Sequence, residues 1–232
     1  MSDLQNLYTK MWVNSIDRYK NNNCETDSLI NEPSDMRRGI TVLSYFDNVV
    51  DVKISNFLTE LKLIEPDQYY YPKEELHLTI LSIISCITGF KLTNIDIEEY
   101  SSIFKEAIKE IGPFNVRYKG ITVSSSCILI QGFPDNKQLC RLRDSLRSSF
   151  NKAKIESTID SRYEISTAHA TAVRCVAPFN NSSNLINILS KYRDYDFGTI
   201  EVNCLELVFN NWYQNLAITE KLSSVKLKPD NK

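Results

Sequence analysis

Two short segments constrain this chain more than any other feature: Leu76-His77-Leu78-Thr79-Ile80 and Ala168-His169-Ala170-Thr171-Ala172. They hold the only two histidines among the 232 residues. Side chains on a β-strand alternate between faces, so residues i and i+2 share one. Each segment therefore predicts a strand whose front carries an imidazole and a hydroxyl and whose back is apolar. The first back, Leu76, Leu78 and Ile80, is suited to packing beneath helices. The second, Ala168, Ala170 and Ala172, is small enough to let a helix come close.

The rest of the chain supplies partners for such strands. Helical spacing of Leu4, Leu7, Tyr8, Met11 and Trp12 predicts an amphipathic helix in the first 20 residues, and a polar loop follows to Arg38. A strand is expected from Gly39 to Phe46, a helix from Val50 to Leu63, and the first histidine strand from Glu74 to Ile84. A helix over Ile95–Glu110 ends at Gly112-Pro113. Val116–Val123 and Cys127–Gln131 read as a hairpin, with a helix beginning near Asp135. The second histidine strand spans Tyr163–Val176, and a short helix spans Ser183–Tyr192. A last hairpin, Thr199–Phe209 and Trp212–Ile218, turns at Asn210-Asn211. Strands mixed with helices and hairpins point to an α+β fold with mostly antiparallel pairing.

Composition narrows the function classes. Lys+Arg at 27 against Asp+Glu at 29 leaves a net charge of −2, which disfavours a duplex-binding face. A small anion needs only one or two local cations. Glycine, at 6, is too scarce for a glycine-rich phosphate loop. Six scattered cysteines form no C-x-x-C pair, and with two histidines their spacing does not resemble a zinc site. No metal and no cofactor is expected. The N-terminus has no secretory core, no apolar run suits a bilayer, and reduced thiols fit a cytoplasmic protein.

If the two fronts meet across a cleft, the convergent set suits in-line displacement at a phosphodiester. Near neutral pH one imidazole can accept a proton while the other donates one. Threonine hydroxyls can hold the non-bridging phosphate oxygens, where charge sits in the transition state. A lone strand histidine is more often structural than catalytic; a matched pair with no third histidine favours function.

Two H-x-T-x motifs flanked by hydrophobic residues, in Leu76–Ile83 and Ala168–Cys175, resemble the 2H phosphoesterase superfamily. The resemblance implies two pseudo-symmetric lobes with antiparallel sheets forming a central cleft and helices outside. It implies His77 and His169 as the acid–base pair, and Thr79 and Thr171 as phosphate-binding hydroxyls. It also implies a phosphoric diester hydrolase of the cyclic phosphodiesterase kind, acting without metal on a cyclic or 2′-linked nucleotide or RNA-end phosphodiester. The chain then divides into a helix-and-loop extension (1–38), a bilobal domain (39–222) and a polar tail (223–232).

Nucleotide binding calls for aromatic and basic neighbours. Strand parity puts Tyr71 and Lys73 on the face of His77, and Tyr163 on the face of His169. Trp212 and Tyr213 follow the last turn, and Arg37 and Arg38 stand at the mouth of the first strand. Parity puts Arg174 on the opposite face unless a bulge intervenes, so a structural ion pair is its expected role. Two other readings compete: a nucleotide or RNA-end binding protein without turnover, and a structural protein in which the histidines lie far apart.

Overall fold

The computed structural model describes residues 3–46 and 51–228. Met1, Ser2, Val50 (the expected start of the second helix) and the last four residues lie outside these. The β-branched and aromatic segments form nine strands among the described residues: β1 (Arg37–Tyr45), β2 (Tyr69–Tyr70), β3 (His77–Thr88), β4 (Phe114–Val123), β5 (Cys127–Pro134), β6 (Ala170–Arg174), β7 (Asp196–Val202), β8 (Cys204–Asn211) and β9 (Glu220–Lys226). The amphipathic segments form the helices α1 (Asp3–Lys20), α2 (Asp51–Ile64), α3 (Ile97–Ile108), α4 (Gln138–Ala153) and α5 (Ser182–Lys191). Among the described residues no helix is long and apolar enough to cross a membrane.

The strands make two wholly antiparallel sheets, one ordered β3-β1-β8-β9 and the other β2-β6-β5-β4-β7. Helices α3 and α4 pack on each other, α4 against β3 and α3 against β9. On the other sheet α1 packs against β4 and α5, and α2 against α5. This is the expected α+β architecture, with one motif in each sheet and β3 in contact with β6. The lobes are not the two halves of the chain. The expected single strand over Thr199–Phe209 is broken at Asn203, where the chain leaves one sheet as β7 and enters the other as β8. Asn210-Asn211 ends β8 instead of turning a hairpin, and residues from Ser223, read as a polar tail, belong to the edge strand β9.

The helices form where local signals agree. Asp96 caps α3 by accepting from the Glu98 and Glu99 backbone N–H groups, and Asn181 caps α5 through Asn184. Asp135 is no cap. It binds Asn115 across the β4–β5 pair, and α4 begins three residues later than expected.

Helix α1 is joined to the core by Tyr8, which is fully buried. Its hydroxyl donates to the Gly132 carbonyl and accepts from the Gly132 and Ala168 N–H groups, at 3.1, 3.3 and 3.0 Å. A Cβ at Gly132 would run into the Ala168 carbonyl, so glycine is required for this approach. The bond to Ala168 holds the peptide that leads into His169. Tyr8→Phe leaves these buried groups unpaired and is expected to destabilise the protein by about 1–3 kcal/mol, seen as a lower urea midpoint with unchanged m.

Candidate active site

One cleft of about 170 Å³ takes walls from both sheets, and His77, Thr79, His169 and Thr171 all line it. His77 opens β3, and His169 immediately precedes β6. The second motif is thus not a long strand: residues 163–169 are irregular, and pairing begins at Ala170. The loop ahead of His169 covers the free edge of β3, where Thr158 donates to Ile83 and its hydroxyl accepts from Ser85. That loop brings Asp160–Tyr163 to the cleft wall.

Each imidazole is oriented through Nδ1. His77 Nδ1 lies 2.6 Å from the Glu75 carbonyl, which can only accept, so Nδ1 carries the proton and Nε2 is the free nitrogen. Glu75 is itself held, its carboxylate accepting from Tyr69 OH and Leu216 N–H. His169 Nδ1 lies 2.7 Å from Thr167 Oγ1. Among the described residues neither Nε2 nor either motif hydroxyl has a hydrogen-bond partner.

Beneath the cleft lies Arg143, an arginine on the apolar stripe of α4 between Leu139, Leu142 and Leu146. Its guanidinium donates to the carbonyls of Ile80 (2.9 Å), Thr79 (3.1 Å) and Thr167 (2.7 Å). It thereby ties the first motif to the residue that orients the second histidine. Burial pushes its pKa down to about 10. A charged residue on an apolar stripe was the signal for it in the sequence.

Arg174 lines the cleft, against the parity expectation. Leu129 pairs with Thr171 but Ile128 pairs with Val173, so β6 carries an extra residue at Ala172. This bulge turns Arg174 onto the Thr171 side. The guanidinium donates to Tyr71 OH at 2.9 Å and pairs with Asp27 at 3.7 Å. Bulges in β3 act likewise: its register against β1 slips between Ile40 and Thr41 and again between Val42 and Leu43, and Ser82 and Ser85 both reach the cleft.

The remaining expected residues divide. Tyr71 lines the cleft, buried, as the support of Arg174; Tyr163, 66% exposed, and Trp212 stand at its wall. Lys73 is elsewhere. Pro72 and a 3₁₀ turn over Lys73–Glu75 interrupt the strand, cancelling the parity with His77 and putting Lys73 in a separate surface recess. Arg37 and Arg38 do not line the cleft either. Arg37 is held bidentately by Asp35 and donates to Tyr213 OH, and Arg38 bonds the Asp35 and Arg37 carbonyls. Tyr213 is buried in that network, its hydroxyl donating to Asp27. Local carboxylates and carbonyls captured these cations before the cleft could.

These features define a two-sheet protein with one His-x-Thr unit from each sheet in a shared cleft. A family model described as the AKAP7 2′5′ RNA ligase-like domain matches residues 43–215, and the chain belongs to that family, within the 2H phosphoesterase superfamily. Solved structures share its fold at low identity. TT0787 of Thermus thermophilus is 15% identical with a TM-score of 0.63, covering 83% of this chain and 99% of its own. Escherichia coli LigT complexed with 3′-AMP is 13% identical with a TM-score of 0.54, covering 83% and 99%. The Agrobacterium tumefaciens protein ATU0111 is 14% identical with a TM-score of 0.57, covering 91% and 97%. No curated protein matches the chain in sequence.

Burial pushes both imidazole pKa values down to about 4. Arg174 adds to this at His77, against the Glu75 bond; Arg143, His77 and Arg174 add to it at His169. The unfolded chain takes up these protons near 6.5, the folded chain only near 4. Stability is therefore complete above about pH 6.5 and falls as the pH drops towards 4, by a few kcal/mol in all, order of magnitude. Urea unfolding between pH 4 and 7 is expected to show a shallower fall for the double variant His77→Gln/His169→Gln.

Proposed function

We propose that this protein is a metal-independent phosphodiesterase acting on a cyclic or 2′-linked phosphodiester of a nucleotide or RNA end. The observation that carries the reading is the shared cleft lined by His77, Thr79, His169 and Thr171, whose Nε2 atoms and hydroxyls have no hydrogen-bond partner among the described residues. In hydrolysis of a 2′,3′-cyclic phosphate, one histidine takes a proton from water as its oxygen attacks phosphorus. The other gives a proton to the ribose oxygen as its bond to phosphorus breaks. Thr79 and Thr171 donate to the non-bridging oxygens, and the Arg174 cation offsets their charge. In ligation the two histidines exchange roles.

Family membership supports phosphodiester chemistry in general, and the LigT complex with 3′-AMP supports a nucleotide as the ligand class. The depressed imidazole pKa values fit a histidine pair that is neutral when the cleft is empty and takes up a proton when an anion binds. Six free cysteines are in keeping with a reducing compartment such as the cytoplasm.

The test is turnover, in EDTA, of a panel of 2′,3′-cyclic nucleotides, ADP-ribose 1″,2″-cyclic phosphate and short 2′-5′ and 3′-5′ oligonucleotides. At least one is expected to be cleaved, with a bell-shaped pH profile belonging to the histidine pair. His77→Ala or His169→Ala should lower kcat by about 10²–10⁴-fold. Thr79→Val or Thr171→Val should lower it by about 10²-fold. Turnover that survives both histidine variants overturns the mechanism. Binding without turnover of any panel member favours a nucleotide or RNA-end sensor.

A further inference from the structure

Among the described residues, four buried side-chain polar atoms have no hydrogen-bond partner: Tyr45 OH, Tyr118 OH, Asn210 Oδ1 and Gln214 Oε1. Buried polar groups are normally paired, so such atoms call for a reason. Two of the four belong to residues lining the cleft, Asn210 at 2% exposure and Gln214 at 6%.

The orientation of Asn210 is determined. Its Nδ2 donates to the Asn211 carbonyl at 2.7 Å and to Cys86 Sγ at 3.6 Å. A carbonyl only accepts, so the amide cannot be turned over and Oδ1 remains the unpaired acceptor. Gln214 is held in place by the turn after β8. Asn211 Oδ1 accepts from Tyr213 and Asn215 N–H, and the Asn211 carbonyl accepts from Gln214 N–H. Gln214 takes φ +58 there, a left-handed backbone that a non-glycine residue adopts at a cost and that concentrates at functional sites.

Position decides which part of a ligand these acceptors meet. Thr79 pairs with Leu43 on β1, and Asn210 pairs with Gly39 on the same strand. Four residues separate them along the strand direction, roughly 13 Å, and β1 lies between their two strands, which adds roughly 10 Å sideways. That span is within reach of a nucleotide whose phosphate sits at the threonines, and Asn210 and Gln214 line the same cleft. Arg162 lies over the Trp212 ring at 4.8 Å, and the two give the cleft a planar guanidinium–indole wall. Resting on the proposed phosphodiesterase reading, we infer that Asn210 and Gln214 form a base-reading subsite that accepts from the exocyclic amino group of adenine or cytosine. Hypoxanthine and uracil put a carbonyl oxygen where that amine would be. At Asn210, whose amide cannot be turned over, acceptor then faces acceptor and both stay unpaired.

The test is calorimetric titration of the full chain with 3′-AMP, 3′-IMP, 3′-CMP and 3′-UMP, beside turnover of the matching 2′,3′-cyclic nucleotides. The amino nucleotides are expected to bind at least about ten-fold tighter than their carbonyl counterparts. Asn210→Leu should abolish that ratio. Gln214→Gly, which suits the left-handed backbone and so keeps the fold, should reduce it. Equal affinities, a ratio unchanged in the folded variants, or no binding of any of the four overturns the subsite. An intact ratio without turnover of any cyclic nucleotide keeps the subsite and overturns the phosphodiesterase.

Discussion

The two-sheet arrangement depends on a buried cation. Arg143 is 5% exposed and, among the described residues, forms no ion pair. Its guanidinium is solvated by carbonyl dipoles: Thr79 and Ile80 from one sheet, and Thr167 from the segment entering the other. Burying a charge is unfavourable unless hydrogen bonds replace its lost water. Those bonds are available only when the two motifs are in register with each other. The cost of burial thus makes the correct relative position of the histidines a condition for a well-satisfied Arg143.

Residues ahead of β1 complete the same structure from outside. Tyr8 secures the peptide before His169, and Asp27 reaches across to Arg174 and Tyr213. The Asp27 N–H also donates to the Cys175 carbonyl, next to the bulged end of β6. What reads as an N-terminal helix and loop therefore supports the second motif. The break at Asn203 has a matching effect. It lets the last part of the chain widen the first sheet and carry Asn210, Trp212 and Gln214 to the cleft.

Elements with strong local signals were legible in the sequence. Helices α2, α3 and α5 lie within a few residues of their expected bounds because each combines an apolar stripe with a local stop or cap. The apolar residues Leu76, Leu78 and Ile80, and Ala168, Ala170 and Ala172, are buried as expected, although bulges and irregular backbone interrupt the alternation. Face assignment by alternation fails where the strand is interrupted. Pro72 and the following turn separate Lys73 from His77, and the Ala172 bulge reverses Arg174. The break at Asn203 was invisible because the residues on both sides keep a strand-like pattern. A strand and two strands in different sheets satisfy the same local preferences.

The sequence by itself determined the chemistry available: two imidazole–hydroxyl units on apolar supports, in a chain with no other histidine. Periodicity and side-chain type are local properties, so that much needed no coordinates. Only the tertiary structure decided which cations and amides join them. Arg174 enters through a bulge, while Arg37 and Arg38 are taken up by Asp35 and backbone carbonyls. Asn210 and Gln214 reach the cleft through a crossover and a left-handed turn. Those outcomes depend on register and on competition for hydrogen bonds between segments far apart in the chain, and no local pattern encodes either.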